Sequence, residues 1–200
     1  DMGNGVVTDR NCAAMGLVLP VFQCPSDGKS DYGAACRTRN SYVANTGIGY
    51  LRYEYPPTQK PGVFQQNSGC KISDITDGTS NTVGISEIIK VQATGEFRGV
   101  WSYCEGCLYQ HDRTPNTRLP DESRVSYCPT AGATHPWAPC IGTYSTFNTR
   151  RSLLSARSLH PGGVHALLMD GSVRFVGDSV ELATWQALGT IAGNEVINGF

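Results

Sequence analysis

The sequence has no run of about 18 or more apolar residues, so no segment reads as a membrane-spanning helix. It also lacks an excess of either charge: 16 Lys and Arg stand against 17 Asp and Glu, a net charge of −1. That balance excludes a basic stripe for nucleic acid and a polybasic membrane surface. Motifs that carry chemistry are scarce. There is no Gly-x-Ser-x-Gly nucleophile elbow, no phosphate loop and no dinucleotide fingerprint. Cysteine is missing from everything after Cys140, so the C-terminal part must hold together by packing. No signal peptide is visible.

What is present points to turns and cross-links. The chain has 23 Gly and 11 Pro, which favours β or α+β over a helical bundle. Its length suits a single domain over residues 1–200, with a loop-rich, cysteine-containing excursion at about 104–157. Eight cysteines are spread over the first 140 residues: Cys12, Cys24, Cys36, Cys70, Cys104, Cys107, Cys128 and Cys140. An even number at wide spacing reads as disulfides of undetermined pairing in an oxidising compartment, each contributing about 2–4 kcal/mol. Disulfides require export, so the sequence reads as a mature or trimmed product.

Strands are predicted at 41–47, 82–89 and 97–103, with a helical turn at 72–75. An extended piece at 21–27 enters a turn at Pro25–Gly28. Residues 164–176 form a hairpin closed by the two-residue turn Asp170-Gly171. That turn sets Leu168 opposite Val173 and Ala166 opposite Phe175, all four on the core face. His165 then points to the other face, toward solvent. Asp178 and Glu181 cap a helix with Leu182, Trp185 and Leu188 on its apolar side and Gly189 at its end. A short strand at 194–197 follows.

Four segments carry a family resemblance: Phe22-Gln-Cys-Pro-Ser-Asp27, Ser41-Tyr-Val-Ala-Asn-Thr-Gly47, Ile75-Thr-Asp-Gly-Thr-Ser-Asn-Thr82 running to Glu87, and His160-Pro-Gly-Gly to Arg174-Phe-Val176. Together, and in this order, they resemble the bacterial pseudopilin-like family with a prepilin-type N-terminus and a C-terminal His-x9-Asp-Gly domain. His160 and Asp170-Gly171 fit that spacing. The resemblance implies an α+β pilin-like head, with an antiparallel sheet normally packed on the C-terminal half of a long apolar helix. Such a helix is absent from this sequence. The resemblance further implies export and a structural role, without a substrate. The resemblance also implies that a cysteine just after the helix, which many relatives carry, could pair with the cysteine at the position of Cys24.

Each candidate site has a plainer reading beside it. His160 and Asp170 are a candidate metal or acid–base pair. Turn chemistry already accounts for Asp170, and His160, Gly162, Gly163, Asp170 and Gly171 are read as structural. Asp74, Asp77, Asn81 and Glu87, with Thr79, offer oxygen ligands to Ca²⁺. Asx-turns and a helix cap explain Asp77 and Asn81 equally well. Ca²⁺ is the one cofactor considered. Cys104-x-x-Cys107 with His111 suggests zinc or a redox pair, completed by Cys128 and Cys140, but the oxidising context favours disulfides. Glu54, Glu87, Glu96 and Glu105 are unplaced carboxylates. Tyr50, Tyr53, Tyr55, Trp101, Tyr103 and Trp137 are either a carbohydrate or partner surface or, more commonly, core and loop anchors.

The expected function is therefore a non-catalytic subunit of an extracellular or cell-surface filament or secretion pseudopilus. Its partner is itself, no nucleic acid is involved, and membrane contact comes only through the missing helix. The rival is a secreted binding module for carbohydrate, peptide or metal. An enzyme with a non-obvious site is the third reading.

Overall fold

The computed structural model describes residues 12–28, 37–52, 60–65, 69–91, 93, 95–103, 105–128 and 135–195. Along the chain lie helix α1 (Cys12–Met15) and strands β1 (Tyr42–Asn45), β2 (Gly47–Ile48), β3 (Leu51–Arg52), β4 (Lys60–Pro61) and β5 (Val83–Glu87). Strands β6 (Leu108–Tyr109), β7 (Asp121–Arg124), β8 (Cys140–Tyr144), β9 (Arg151–Ser152), β10 (Gly163–Leu168) and β11 (Val173–Gly177) follow, then helix α2 (Leu182–Gly189). The fold class is α+β. A five-stranded sheet in the order β11-β10-β5-β1-β6 is antiparallel except for β6, which runs parallel to β1. The predicted strands at 41–47 and 82–89 are its centre. The short strands within 104–157 include β6, which extends the main sheet, and the parallel pair β7 and β8.

One face of the sheet is the core. Val43, Val164, Ala166, Leu168 and Val176 form a buried cluster with Phe97, Val100, Tyr109, Leu154, Trp185 and Leu188. The apolar side of α2 supplies Trp185 and Leu188 as its spacing predicts, while Leu182 is exposed. The helix begins later than its capping signal suggests. Asp178 instead accepts a hydrogen bond from Asn116 Nδ2 at 2.8 Å, so it ties a loop rather than a helix N-terminus. Residues 97–103 are turns, not a strand, because Val100 makes only an isolated bridge to Arg39. The 21–27 segment is two 3₁₀ turns, Pro20–Phe22 and Pro25–Asp27, each begun by a proline.

The hairpin register differs from the sequence expectation by one residue. Its turn has three residues, 169–171. The Gly171 N–H donates to Leu168 O at 3.0 Å, and the Leu168 N–H donates to Ser172 O at 2.8 Å. Gly171 sits at φ +88°, the left-handed position of a bulged three-residue hairpin. Asp170 stabilises this turn by accepting from the Ser172 N–H and hydroxyl. Leu167 therefore faces Val173 and His165 faces Phe175. A slip of one residue moves side chains to the other face. Val173 and Phe175 leave the expected core and are 61% and 48% exposed.

Beneath the loops lies a buried ion network. Arg98 Nη2 pairs with Glu96 Oε2 at 2.8 Å, Arg98 Nη1 with Asp121 Oδ2 at 2.8 Å, and Arg157 Nη2 with Asp121 Oδ1 at 2.9 Å. All four side chains are fully buried. Burial alone would raise the Asp121 carboxyl, but Arg157 and Arg98 together hold it below its ordinary range. The two guanidiniums also donate to the carbonyls of Thr117, Leu119, Trp137, Ala138 and Pro139. Pro139 O also accepts from the Asp121 N–H at 2.9 Å, while the carbonyls of Thr117, Leu119, Trp137 and Ala138 gain a charged donor where the backbone is irregular. The Cys128–Cys140 disulfide closes the same region.

Asp121→Asn removes the charge between two buried arginines. It should cost about 3–5 kcal/mol in urea denaturation; a loss below about 1 kcal/mol would contradict this role. A second expectation concerns His111, which stacks on Trp185 with ring centroids 3.9 Å apart. Its Nδ1 is 2.6 Å from Trp185 O and its Nε2 2.8 Å from the Tyr109 hydroxyl. Burial pushes its pKa down to about 3. The unfolded chain then binds a proton that the folded one refuses, so the contribution is complete above the unfolded value and lost as pH falls below it. Stability should drop by up to about 1.4 kcal/mol per unit between about pH 6 and pH 4. That component should vanish in His111→Gln, as measured by urea titrations across pH.

Candidate functional site

The second face of the main sheet is where the register leads. Val173, Leu167, Ile85, Ala44 and Leu108 are paired across all five strands, so they form one apolar row on one face. None of the five is buried. An antiparallel sheet that faces water alternates to polar side chains on that side; this one does not. Ile85 lies between two hollows. One, of about 350 Å³, is lined by Ala44, Phe64, Trp101 and Leu108 among others. The other, of about 550 Å³, runs over Val21, Phe22, Leu167 and Val173. Phe22 and Trp101 pack together with centroids 4.6 Å apart, and the Trp101 indole N–H donates to Tyr42 O at 2.8 Å.

The polar end of the larger hollow is a cluster of metal-ligating side chains. Cys24 arrives from the 3₁₀ segment, Glu87 from the end of β5, and His160 from the loop before β10. His160 Nε2 lies 3.3 Å from Cys24 Sγ and 3.1 Å from Glu87 Oε1. The other Glu87 oxygen accepts from the His165 backbone N–H at 2.7 Å, with His165 Nδ1 at 3.4 Å. The His165 ring meets His160 edge-on at 4.7 Å. Cys24 is 3% exposed, and its N–H donates to Ser41 Oγ at 2.9 Å. Burial pushes the Cys24 thiol above its ordinary value, and the nearby Glu87 charge adds to this.

This is not the geometry of a cysteine nucleophile. A Cys–His–acid triad needs the thiol on one ring nitrogen and the carboxylate on the other. Here one nitrogen faces both, and the thiol is held protonated rather than activated. The arrangement gathers three donors toward one point.

A family model described as a protein of unknown function (DUF1559) matches residues 2–183. The chain belongs to the DUF1559 family. No curated protein and no solved structure matches it. Within this DUF1559 chain, three of the four segments singled out from the sequence deliver the cluster: 22–27, 75–87 and 160–176. The fourth, 41–47, supplies Ser41 and the central strand.

Other candidate residues separate. His160 and Asp170 lie beyond opposite ends of β10 and do not meet; the Asp170 carboxylate accepts from Ser172 in the turn, and its N–H donates to Thr79 O at 3.1 Å. Gly162 adopts φ +84°, and Gly163 approaches β11 so closely that a Cβ would lie 2.2 Å from Val176 O. The Ca²⁺ set disperses. Asp74 caps a 3₁₀ turn through the Lys71 N–H, Asp77 accepts from the Gly193 and Asn194 N–H groups, and Asn81 donates to Asp77 O. Glu87 sits in the cysteine–histidine cluster instead.

The cysteines also depart from the expectation. Cys24 and Cys70 are free thiols, Cys24 because its sulfur is turned into the cluster. Cys128 and Cys140 are paired. Cys107 lines the smaller hollow. The side chains of Cys12, Cys36 and Cys104 lie outside the described residues, as do Tyr53, Glu54 and Tyr55. His111 is no partner for Cys107, since both its nitrogens are occupied. Glu96 serves Arg98, and Glu105 accepts from the Tyr144 hydroxyl at 2.6 Å. The described aromatics are separate anchors: Tyr50 stacks under Arg151, Trp137 under Arg118, and Tyr103 is buried.

In the reduced native protein, Cys70 should react with a small alkylating reagent well before Cys24. Cys24 should match it only after unfolding. Equal native rates, read by mass spectrometry of peptides, would contradict the burial of the cluster.

Proposed function

We propose that this chain is the head of a pilin-like subunit, a non-catalytic building block of an extracellular or cell-surface filament or secretion pseudopilus. One observation supports the reading: the five-stranded sheet carries an apolar row that is not buried among the described residues, and the resemblance implies a sheet packed on a long apolar helix. Contiguous apolar surface of this kind marks an interaction site. The Cys128–Cys140 disulfide supports an oxidising, exported setting. In this reading the row from Val173 to Leu108 seats an apolar helix of the same subunit, and heads assemble by self-association. A secreted binding module is the second reading, favoured by the hollow of about 550 Å³, which is the size of a small-ligand pocket.

The test uses the full-length precursor in its native host. Negative-stain microscopy of sheared surface material should show filaments or short pseudopili that label with antibody to this head. Ile85→Asp and Leu167→Asp should abolish them, while the isolated variant heads keep the near-UV circular dichroism of the parent. Isolated monomers under every condition tried would overturn the filament reading.

A further inference from the structure

We propose that Cys24 Sγ, His160 Nε2 and Glu87 Oε1 form a binding site for a zinc-class divalent cation, with a fourth coordination position open to the larger hollow. The three donor atoms lie within 4.8 Å of one another. Zinc bonds of about 2.0–2.3 Å place neighbouring tetrahedral ligands about 3.3–3.8 Å apart. The separations of 3.3 Å and 3.1 Å around His160 Nε2 are close to that spacing already. Small outward movements of three side chains admit the ion.

The donor set selects the class of metal. A thiolate and an imidazole are borderline-soft ligands suited to zinc. Calcium wants about six to eight oxygens, and the cluster offers one carboxylate. Binding replaces the sulfur–hydrogen bond of Cys24 with a sulfur–metal bond, and the proton leaves to solvent.

Neighbouring groups support the three ligand residues. The Glu87 carboxylate is oriented by a neighbour, and the backbones of Cys24 and His160 are anchored. The second oxygen of Glu87 is engaged by the His165 N–H at 2.7 Å and approached by His165 Nδ1 at 3.4 Å. The Cys24 N–H is anchored on Ser41 Oγ, and the His160 N–H donates to Ser158 Oγ at 3.1 Å. The Ser158 hydroxyl in turn donates to Gly163 O at 2.6 Å, tying the ligand loop to the start of β10. The ion would join segments 136 residues apart in sequence and close the polar end of the hollow.

Cobalt(II) is the probe. Titrated into the chain under a phosphine reductant, it should give a thiolate-to-metal charge-transfer band that saturates at a single ion per chain and is displaced by zinc. Cys24→Ser should abolish the band. Glu87→Gln and His160→Gln should each weaken binding by ten-fold or more. Each variant is scored only if its metal-free near-UV spectrum matches the parent. As a second readout, zinc should raise the thermal midpoint of the parent and leave that of Cys24→Ser unchanged. Two results would overturn the site: a band that survives Cys24→Ser, or no saturable band while the Cys24 thiol titrates as free.

Discussion

One residue in one turn governs the organisation of this molecule. Strand side chains alternate with a period of two, so the length of a hairpin loop decides which residues are inside. The 169–171 loop, with Gly171 at φ +88° and Asp170 accepting from Ser172, turns Leu168 and Val176 into the core and leaves Val173 and Phe175 outside. The outermost part of the apolar row follows from that register. A two-residue turn would place Val173 and Phe175 beneath the sheet. The three-residue turn instead completes an apolar row across all five strands, while the pairing of β10 with β5 sets His165 beside Glu87.

The apolar row and the donor cluster share a face and share the larger hollow, yet they ask for different partners. The row calls for a broad dry surface. The cluster calls for a small borderline-soft cation neutralised by a thiolate and a carboxylate. Their adjacency matters physically, because an apolar element seated on the row would lower the dielectric around Cys24, Glu87 and His160 and strengthen every interaction among them. The two proposals stand on separate observations, and either can hold without the other.

Much of the fold was legible because it is local. The strands at 42–45 and 83–87, the proline-led turns and the Trp185–Leu188 side of α2 all come from short-range pattern. The hairpin failed by one residue, since Asp-Gly signals a two-residue turn and equally the last two positions of a three-residue one. The cluster was half legible. Its ligands fall in three of the four segments that carry the family resemblance, but nothing in linear spacing says that residues 24, 87 and 160 converge. Cys24 was hidden by its company: among eight cysteines in a loop-rich chain, a thiol turned toward a histidine looks like half of a disulfide. The arginine network was invisible for a similar reason, because Arg98, Asp121 and Arg157 are ordinary surface types until long-range contacts bury them.

That network has a consequence for how the loop-rich half comes apart. Its charges arrive from three distant places, and the carbonyls it serves belong to two further loops. A partly folded form that buries Arg98 or Arg157 without Asp121 strands an uncompensated charge in the interior, whereas a form that exposes all of them loses the scaffold for residues 117–119 and 137–139. Neither halfway state is favourable. Segments with little regular secondary structure would ordinarily fray piecemeal; here the shared ions couple them, so that this region opens and closes as one cooperative unit.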